Sequence, residues 1–251
     1  MKEPHKNVAA SVHARLLAGA QERQEDYNFT LQRYAAERFL YRLGASQHRE
    51  QFVLKGAMLF ALWGVSLYRA TRDLELTAYT EEDPGTFAAI VQEICAISCP
   101  GDALRYDMAT VRAEPIRDVS EYHGYRVRLQ TFLGTARIGR QIDVGLGDAI
   151  EPPAQEETYP VLLDGPAPRI RAYPREAVVA EKVHAMVTLG AANSRFKDFD
   201  DVFILATHFS FSGTVLARAI TATFERRRTP LEKAFPVCWL SVQLAFHGGD
   251  I

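Results

Sequence analysis

Residues 52–79 read FVLKGAMLFALWGVSLYRATRDLELTAY, and this run decides the fold. It divides into a short apolar segment, a glycine turn at Gly56, a helix, a basic loop and a strand carrying two carboxylates. Side chains alternate along a strand, so Leu74, Leu76 and Ala78 share one face while Asp73, Glu75, Thr77 and Tyr79 share the other. Two acids at i and i+2 on one face repel each other strongly without a cation, and a divalent ion is the cation such oxygens share. Gly56 opens the helix, and its missing side chain lets a phosphate approach backbone N–H groups. Arg72, in the basic loop, joins Gly56 and Ala57 among the substrate-binding candidates.

Outside this run the chain has ordinary globular composition. Of its 251 residues, 47% are hydrophobic and 24% charged, enough for one large domain or two small ones. The net charge of −2 gives no global basic field, so any RNA contact must use a local patch. Arginine supplies most of the cations; the lysines are Lys2, Lys6, Lys55, Lys182, Lys197 and Lys233. Cys95, Cys99 and Cys238 form no C-x-x-C pair and have no histidine at ligand spacing, which argues against zinc and against a disulfide framework. The first residues lack a secretory apolar core and no stretch reaches the length of a membrane span, so the expected location is cytoplasmic, with no membrane partner.

Hydrophobic periodicity predicts helices over 8–22 and 28–43. In the second, Leu31, Tyr34, Ala35, Phe39 and Leu40 form the buried stripe, and Arg33, Glu37, Arg38 and Arg42 fall mostly on other faces. Further helices are expected over 57–64 and, after the turn EEDPGT, over 86–97. Strands are expected over 103–113, 125–133 and 137–144, the last two joined by a hairpin at Gly134–Thr135. Residues 151–160 read as an exposed loop or boundary. Helices return over 174–190, 197–208 and 213–227. The expectation is a mixed α/β half, residues 1–160, followed by a mainly helical part, residues 161–251, that completes the active-site cleft.

Three further places carry chemistry. Asp143 sits in a strand whose Ile138, Ile142 and Val144 face the opposite way; alone it reads as an edge acid paired with an arginine, but beside Asp73 and Glu75 it supplies a third carboxylate for two metal ions. Asp148, in the following turn, suits capping better. Lys182 projects into the apolar stripe of Val178, Val179, Val183, Met186 and Leu189, where a cation is costly unless an anion meets it. A triphosphate is one such anion; snorkelling to the surface is the alternative. His184 reads as a solvated helix residue. In SRFKDFDDVFIL, Asp198 falls on the apolar side, Asp201 at its margin and Asp200 toward solvent. Arg195 and Lys197 can reach phosphate or pair with these acids, and an ion-pair network locking two helices is the competing reading.

As one ordered series, RFLYRLGAS, FVLKGAMLFALWG, YRATRDLELTAY, RIGRQIDVGLGD, YPREAVVAEKVHAMV and NSRFKDFDDVFIL resemble the AbiEii/AbiGii toxin family of nucleotidyltransferases. That family belongs to the polymerase-beta-like superfamily and is similar to the MenT-type toxins. The resemblance implies an α/β (α+β) fold: a nucleotidyltransferase core with a mixed sheet, N-terminal helices and a C-terminal helical bundle. Gly56 matches the glycine of the first motif, Asp73 the first acid, Asp143 the third carboxylate, and Lys182, Asp198 and Asp201 the basic and acidic positions of the later helices. It implies Mg2+, or Mn2+ in its place, on Asp73, Glu75 and Asp143. A nucleoside triphosphate would lie against Gly56, Ala57 and Lys182, and Asp143 would help activate the acceptor hydroxyl. The acceptor would be the 3′ end of tRNA. The setting would be a toxin–antitoxin or phage-defence pair with a cognate antitoxin protein. Glu75 stands where a second Asp is usual, Ala57 where Ser or Gly is common, and the tail after Arg228 departs from the family. These departures define the alternative, a nucleotidyltransferase fold that binds nucleotide or RNA without turnover. A third reading is a partner-binding protein with no nucleotide site.

Overall fold

A computed structural model describes residues 7–65, 73–79, 83–99, 101–116, 124–189 and 196–231. The chain forms two compact units: residues up to Gly147 together with Glu156–Ala172, and Asp148–Gln155 together with the residues from Tyr173 onward.

The first unit is built on a sheet. Its elements are α1 (Val8–Glu22), α2 (Tyr27–Ala45), β1 (Phe52–Lys55), α3 (Met58–Leu62), β2 (Leu74–Ala78), α4 (Pro84–Ala96), β3 (Leu104–Pro115), β4 (Gly124–Leu133), β5 (Ala136–Leu146), β6 (Gln155–Thr158) and β7 (Arg169–Ala172). The strand order is β3-β4-β5-β2-β1-β7-β6. The β1–β2, β3–β4 and β4–β5 pairs are antiparallel, and β2–β5 and β1–β7 are parallel, so the sheet is mixed. Local chemistry starts the helices where the sequence expects them. The Asp26 carboxylate accepts from the Phe29 N–H ahead of α2, and Asp83 accepts from Gly85 and Thr86 with Pro84 in the first turn of α4.

One face of the sheet is apolar. Leu54, Leu74, Leu76, Val127, Ile142 and Val144 are all buried there. Phe87 of α4 covers it, its ring 6.3 Å from that of Phe52 and 5.2 Å from that of Tyr125. Farther along, Leu133 and Ile138 pack with Val12 and Leu16 of α1 and Leu31, Tyr34 and Ala35 of α2. The predicted stripe of α2 is therefore its core face.

Glu37, Arg38 and Arg42, which lie off that stripe, are buried as well. Arg42 Nη1 pairs with Asp102 at 2.5 Å, Arg38 Nη1 donates to the Pro166 carbonyl at 3.0 Å, and Glu37 accepts from the Leu162 N–H at 2.7 Å. The helix is enclosed on more than its apolar side, because the segments before β3 and after β6 wrap it and offer partners that lie far away in sequence. Residues 151–160, expected as a loop or boundary, span the division between the two units at Gln155 and Glu156 and hold the short strand β6.

The second unit packs α5 (Arg175–Leu189) with α6 (Phe196–His208) and α7 (Gly213–Arg226). Val178, Val179, Val183 and Met186 are buried as the periodicity requires, whereas Leu189 is 38% exposed. His184 is buried, contrary to the solvated expectation. Its ring meets Phe224 of α7 edge-on at 5.1 Å and its Nε2 lies 2.8 Å from Thr229 Oγ1. Burial first, and the Arg227 charge second, push its pKa down to about 4. The helix has two covered flanks where one stripe was expected. Arg227, just after α7, pairs with Asp148 at 3.6 Å and with Glu181 of α5 at 3.4 Å. Among the described residues no helix is long and apolar enough to cross a membrane.

Gly44 of α2 rests directly on the backbone of β7. A Cβ there would lie 2.2 Å from the Arg169 carbonyl oxygen, a contact no rotamer can relieve. Gly44→Ala is expected to destabilise the first unit by about 1–3 kcal/mol, the usual range for overpacking, despite the gain in helix propensity. Urea unfolding followed by circular dichroism checks this; an unchanged midpoint contradicts it.

Candidate active site

The polar face of the sheet carries a row of charges in register across five strands. Lys55 of β1 lies opposite Glu75 of β2, and Glu75 opposite Asp143 of β5. Asp143 lies opposite Arg126 of β4, and Arg126 opposite Glu114 of β3. Residues directly opposed in a ladder share a face and touch, so Glu75 and Asp143 are two neighbouring acids with a cation on either side. Neighbouring strands run about 4.8 Å apart, close enough for one ion to be shared.

Each acid is held differently. Asp143 is clamped by Arg126, whose Nε donates to Oδ1 at 2.8 Å and whose Nη2 donates to Oδ2 at 2.7 Å. Such two-pronged bonds are among the strongest a carboxylate makes. The hydrogen bond to Asp143 chiefly raises the Arg126 pKa; burial opposes it, and the charges of Asp143, Asp73 and Glu114 add to it. Glu75 lies over the glycine turn. A Cβ on Gly56 would come within 2.5 Å of Glu75 Cδ, and Gly56 has φ +76. The glycine is therefore required twice, by its own backbone and by the carboxylate above it. Asp73 stands exposed at the mouth of β2.

Beside the turn is a cavity of about 340 Å3 whose lining includes Phe29, Arg33, Ala57, Asp73, Arg140 and Tyr159. Arg140 is buried, with Nη1 donating to Gln32 Oε1 at 2.7 Å. Burial pushes its pKa down to about 10, against the pull of Tyr106 and Asp73.

The donor chemistry fits a hard cation, since three carboxylates on two adjacent strands offer oxygen only. The side chains do not yet converge: among the described residues no three acidic, histidine or cysteine groups surround one point.

In the second unit, Lys182 is engaged by acids of α6. Its Nζ donates to Asp198 Oδ1 at 3.1 Å and to Asp201 Oδ2 at 2.5 Å. The Lys182 side chain is 17% exposed, that of Asp198 10% and that of Asp201 1%. The three residues singled out from the helical projection do come together, and Lys197 is exposed at the start of α6. Arg72, Arg195 and the tail from residue 232 lie outside the described residues.

Sequence reading missed Lys55 and Arg126. Lys55 closes an apolar run directly before the glycine, which was a usable signal. Arg126 gave none, because only the β4–β5 register sets it beside Asp143.

Comparison with known proteins now gives the class. The sequence matches, over residues 38–242, the profile of the family described as "Nucleotidyl transferase AbiEii toxin, Type IV TA system". The protein is a nucleotidyltransferase. More narrowly, the chain belongs to the AbiEii toxin family, as its motifs had implied. Curated proteins yield no match by sequence. Among solved structures, it is similar to JHP933 from Helicobacter pylori at 16% identity and TM-score 0.47, covering 83% of this chain and 87% of that one. It is also similar to an antigenic nucleotidyltransferase-like protein from Paracoccidioides brasiliensis, at 10% identity and TM-score 0.42, covering 80% and 92%. The antibiotic-resistance factor ANT(2'')-Ia matches at 13% identity and TM-score 0.38, covering 95% and 96%.

Removing the Lys182 ammonium leaves two carboxylates facing each other with little water. Lys182→Ala is expected to cost about 3 kcal/mol, because breaking a buried pair strands its partners. Asp201→Asn in the same chain should restore part of that. Chemical denaturation of both variants checks this, and equal stability of Lys182→Ala and wild type contradicts it.

Proposed function

We propose that this nucleotidyltransferase toxin is magnesium-dependent and transfers a nucleotide from a nucleoside triphosphate to an acceptor hydroxyl at the 3′ end of tRNA. Growth arrest would follow, within a toxin–antitoxin or phage-defence pair in the cytoplasm, silenced by a cognate antitoxin. The observation that carries the reading is the in-register pairing of Glu75 with Asp143 beside the Gly56 turn.

In this reading Asp73, Glu75 and Asp143 hold Mg2+, with Mn2+ able to take its place. The ion would supply charge neutralisation at the phosphates and at the leaving pyrophosphate. The backbone at Gly56 and Ala57 would receive the triphosphate, and Lys182, whose ammonium Asp198 and Asp201 orient, is a further candidate for phosphate in the second unit. Lys197 and, outside the described residues, Arg72 and Arg195 are the remaining candidates for phosphate contact. Asp143 accepts the proton of the acceptor hydroxyl as its oxygen attacks the α-phosphorus. The new O–P bond forms in line with the bond to the β-phosphate oxygen, which breaks and releases pyrophosphate. Most of the rate gain then comes from positioning and charge. For Asp143 to act, its oxygens must leave Arg126, and the guanidinium is then free to meet a phosphate oxygen.

The test is incubation with radiolabelled nucleoside triphosphates, magnesium and total tRNA. Label is expected on tRNA, reduced about 100-fold or more by Asp73→Asn or Asp143→Asn. Label on protein alone would overturn the tRNA acceptor. An inert wild type with an active Glu75→Asp variant would support binding without turnover.

A further inference from the structure

The charge row is one edge of a larger surface. Continuing along β3, β4 and β5 on the same face, the next row is Arg112, Arg128 and Gln141. Beyond it come Asp107, Gln130 and Gly139, then Arg105, Phe132 and Arg137. Arg105, Arg112, Arg128, Arg137 and Gly139 are all exposed. A Cβ on Gly139 would meet nothing within 4 Å, so the middle of the platform is open and low.

Among the described residues, few of these cations are neutralised by an acid. Arg128 pairs with Glu114. The Asp107 carboxylate turns back to accept from the Ala109 N–H at 3.2 Å. Arg112 donates to the Ala109 and Val111 carbonyls at 2.9 and 2.7 Å, and Arg137 donates to Gln130 Oε1 at 3.1 Å. The Arg105 guanidinium lies 4.2 Å from the centre of the Phe132 ring. Neutral partners hold Arg105, Arg112 and Arg137 in place without cancelling their charge. This is a local basic patch on a chain whose net charge is −2.

We propose that the β3–β5 face binds the phosphate backbone of the RNA acceptor and leads its end to Asp143 and Glu75. The inference rests on the RNA-acceptor reading above. From Phe132 to Arg126 the platform runs roughly 20 Å, at about 3.3 Å per residue. Two arginine rows cross it, and the charge row with its two acids closes it. A polyanion laid along the strands would neutralise the arginines while its terminus met the carboxylates. The stacked Arg105–Phe132 pair offers a flat cationic surface to an unpaired base. An acidic protein would also suit the charge, but a platform that is flat, arginine-lined and open at Gly139 favours a phosphate chain.

The test uses the full chain and fluorescein-labelled total tRNA, with affinity measured across sodium chloride concentrations. Arg105→Ala/Arg112→Ala/Arg137→Ala should bind about 10-fold or more weakly. Its plot of log affinity against log salt should be shallower by about 2–3, since each lost phosphate contact removes about 0.7–0.9. Calorimetric affinity for a nucleoside triphosphate with magnesium should stay at the wild-type value. The triple Lys variant should keep the wild-type slope, which separates lost charge from a disturbed β3. Unchanged RNA affinity and slope in the Ala variant would overturn the proposal, as would a wild type that does not bind tRNA. Loss of an acidic protein partner with RNA binding intact would assign the face to protein instead. If the wild type binds tRNA through these arginines yet transfers no label, the platform stands and the transfer reading falls. Label transfer equal in wild type and Ala variant, with equal affinity, leaves the transfer reading standing and removes the platform.

Discussion

Two like charges placed side by side in a β ladder have to be balanced. Glu75 and Asp143 face each other across β2 and β5. The buried Lys55 and the clamping Arg126 stand at the two ends of that pair. Much of the first unit follows from this constraint. The parallel β2–β5 pairing brings two distant segments together. The glycine turn must lack a side chain because Glu75 lies over it. The apolar faces of the same strands are what the helices cover. A site built this way is fixed by backbone hydrogen bonds, not by loop conformation, which suits chemistry that depends on positioning.

The same device appears twice more, with different consequences. On α2, buried arginines and Glu37 tie the helix to segments far away in sequence. On α5, Lys182 ties α5 to α6 through Asp198 and Asp201. Buried pairs of this kind add little net stability but penalise their own disruption heavily. They therefore resist alternative packings. At Asp143 the partner is an arginine that only partly leaves solvent, so its exchange for another cation is the least costly of the three.

Much of the fold was legible because its elements are long and periodic. The helices and the β3–β5 strands were located within a residue or two, and the hairpin at Gly134–Thr135 was marked by turn chemistry. The four-residue strands β6 and β7 were too short to carry a period. The burial of Glu37, Arg38, Arg42 and His184 was hidden for another reason: a helical projection shows one stripe and not what wraps the remaining sides. The candidate site was half legible. The acids and Gly56 were marked by residue type and spacing, and the Lys182 ion pair in the second unit by a cation in an apolar stripe. Lys55 left a local signal beside Gly56, whereas Arg126 enters only through strand register, which is long-range information a single sequence carries weakly.

The central claim is that Glu75 and Asp143 are paired to share a cation with Asp73. The most direct measurement is a crystal structure with magnesium and a non-hydrolysable nucleoside triphosphate. Asp143 should then have turned from Arg126 to the ion, with Glu75 and Asp73 as further ligands. Nucleotide bound with no ion between these acids, and Arg126 still holding both oxygens of Asp143, would contradict it.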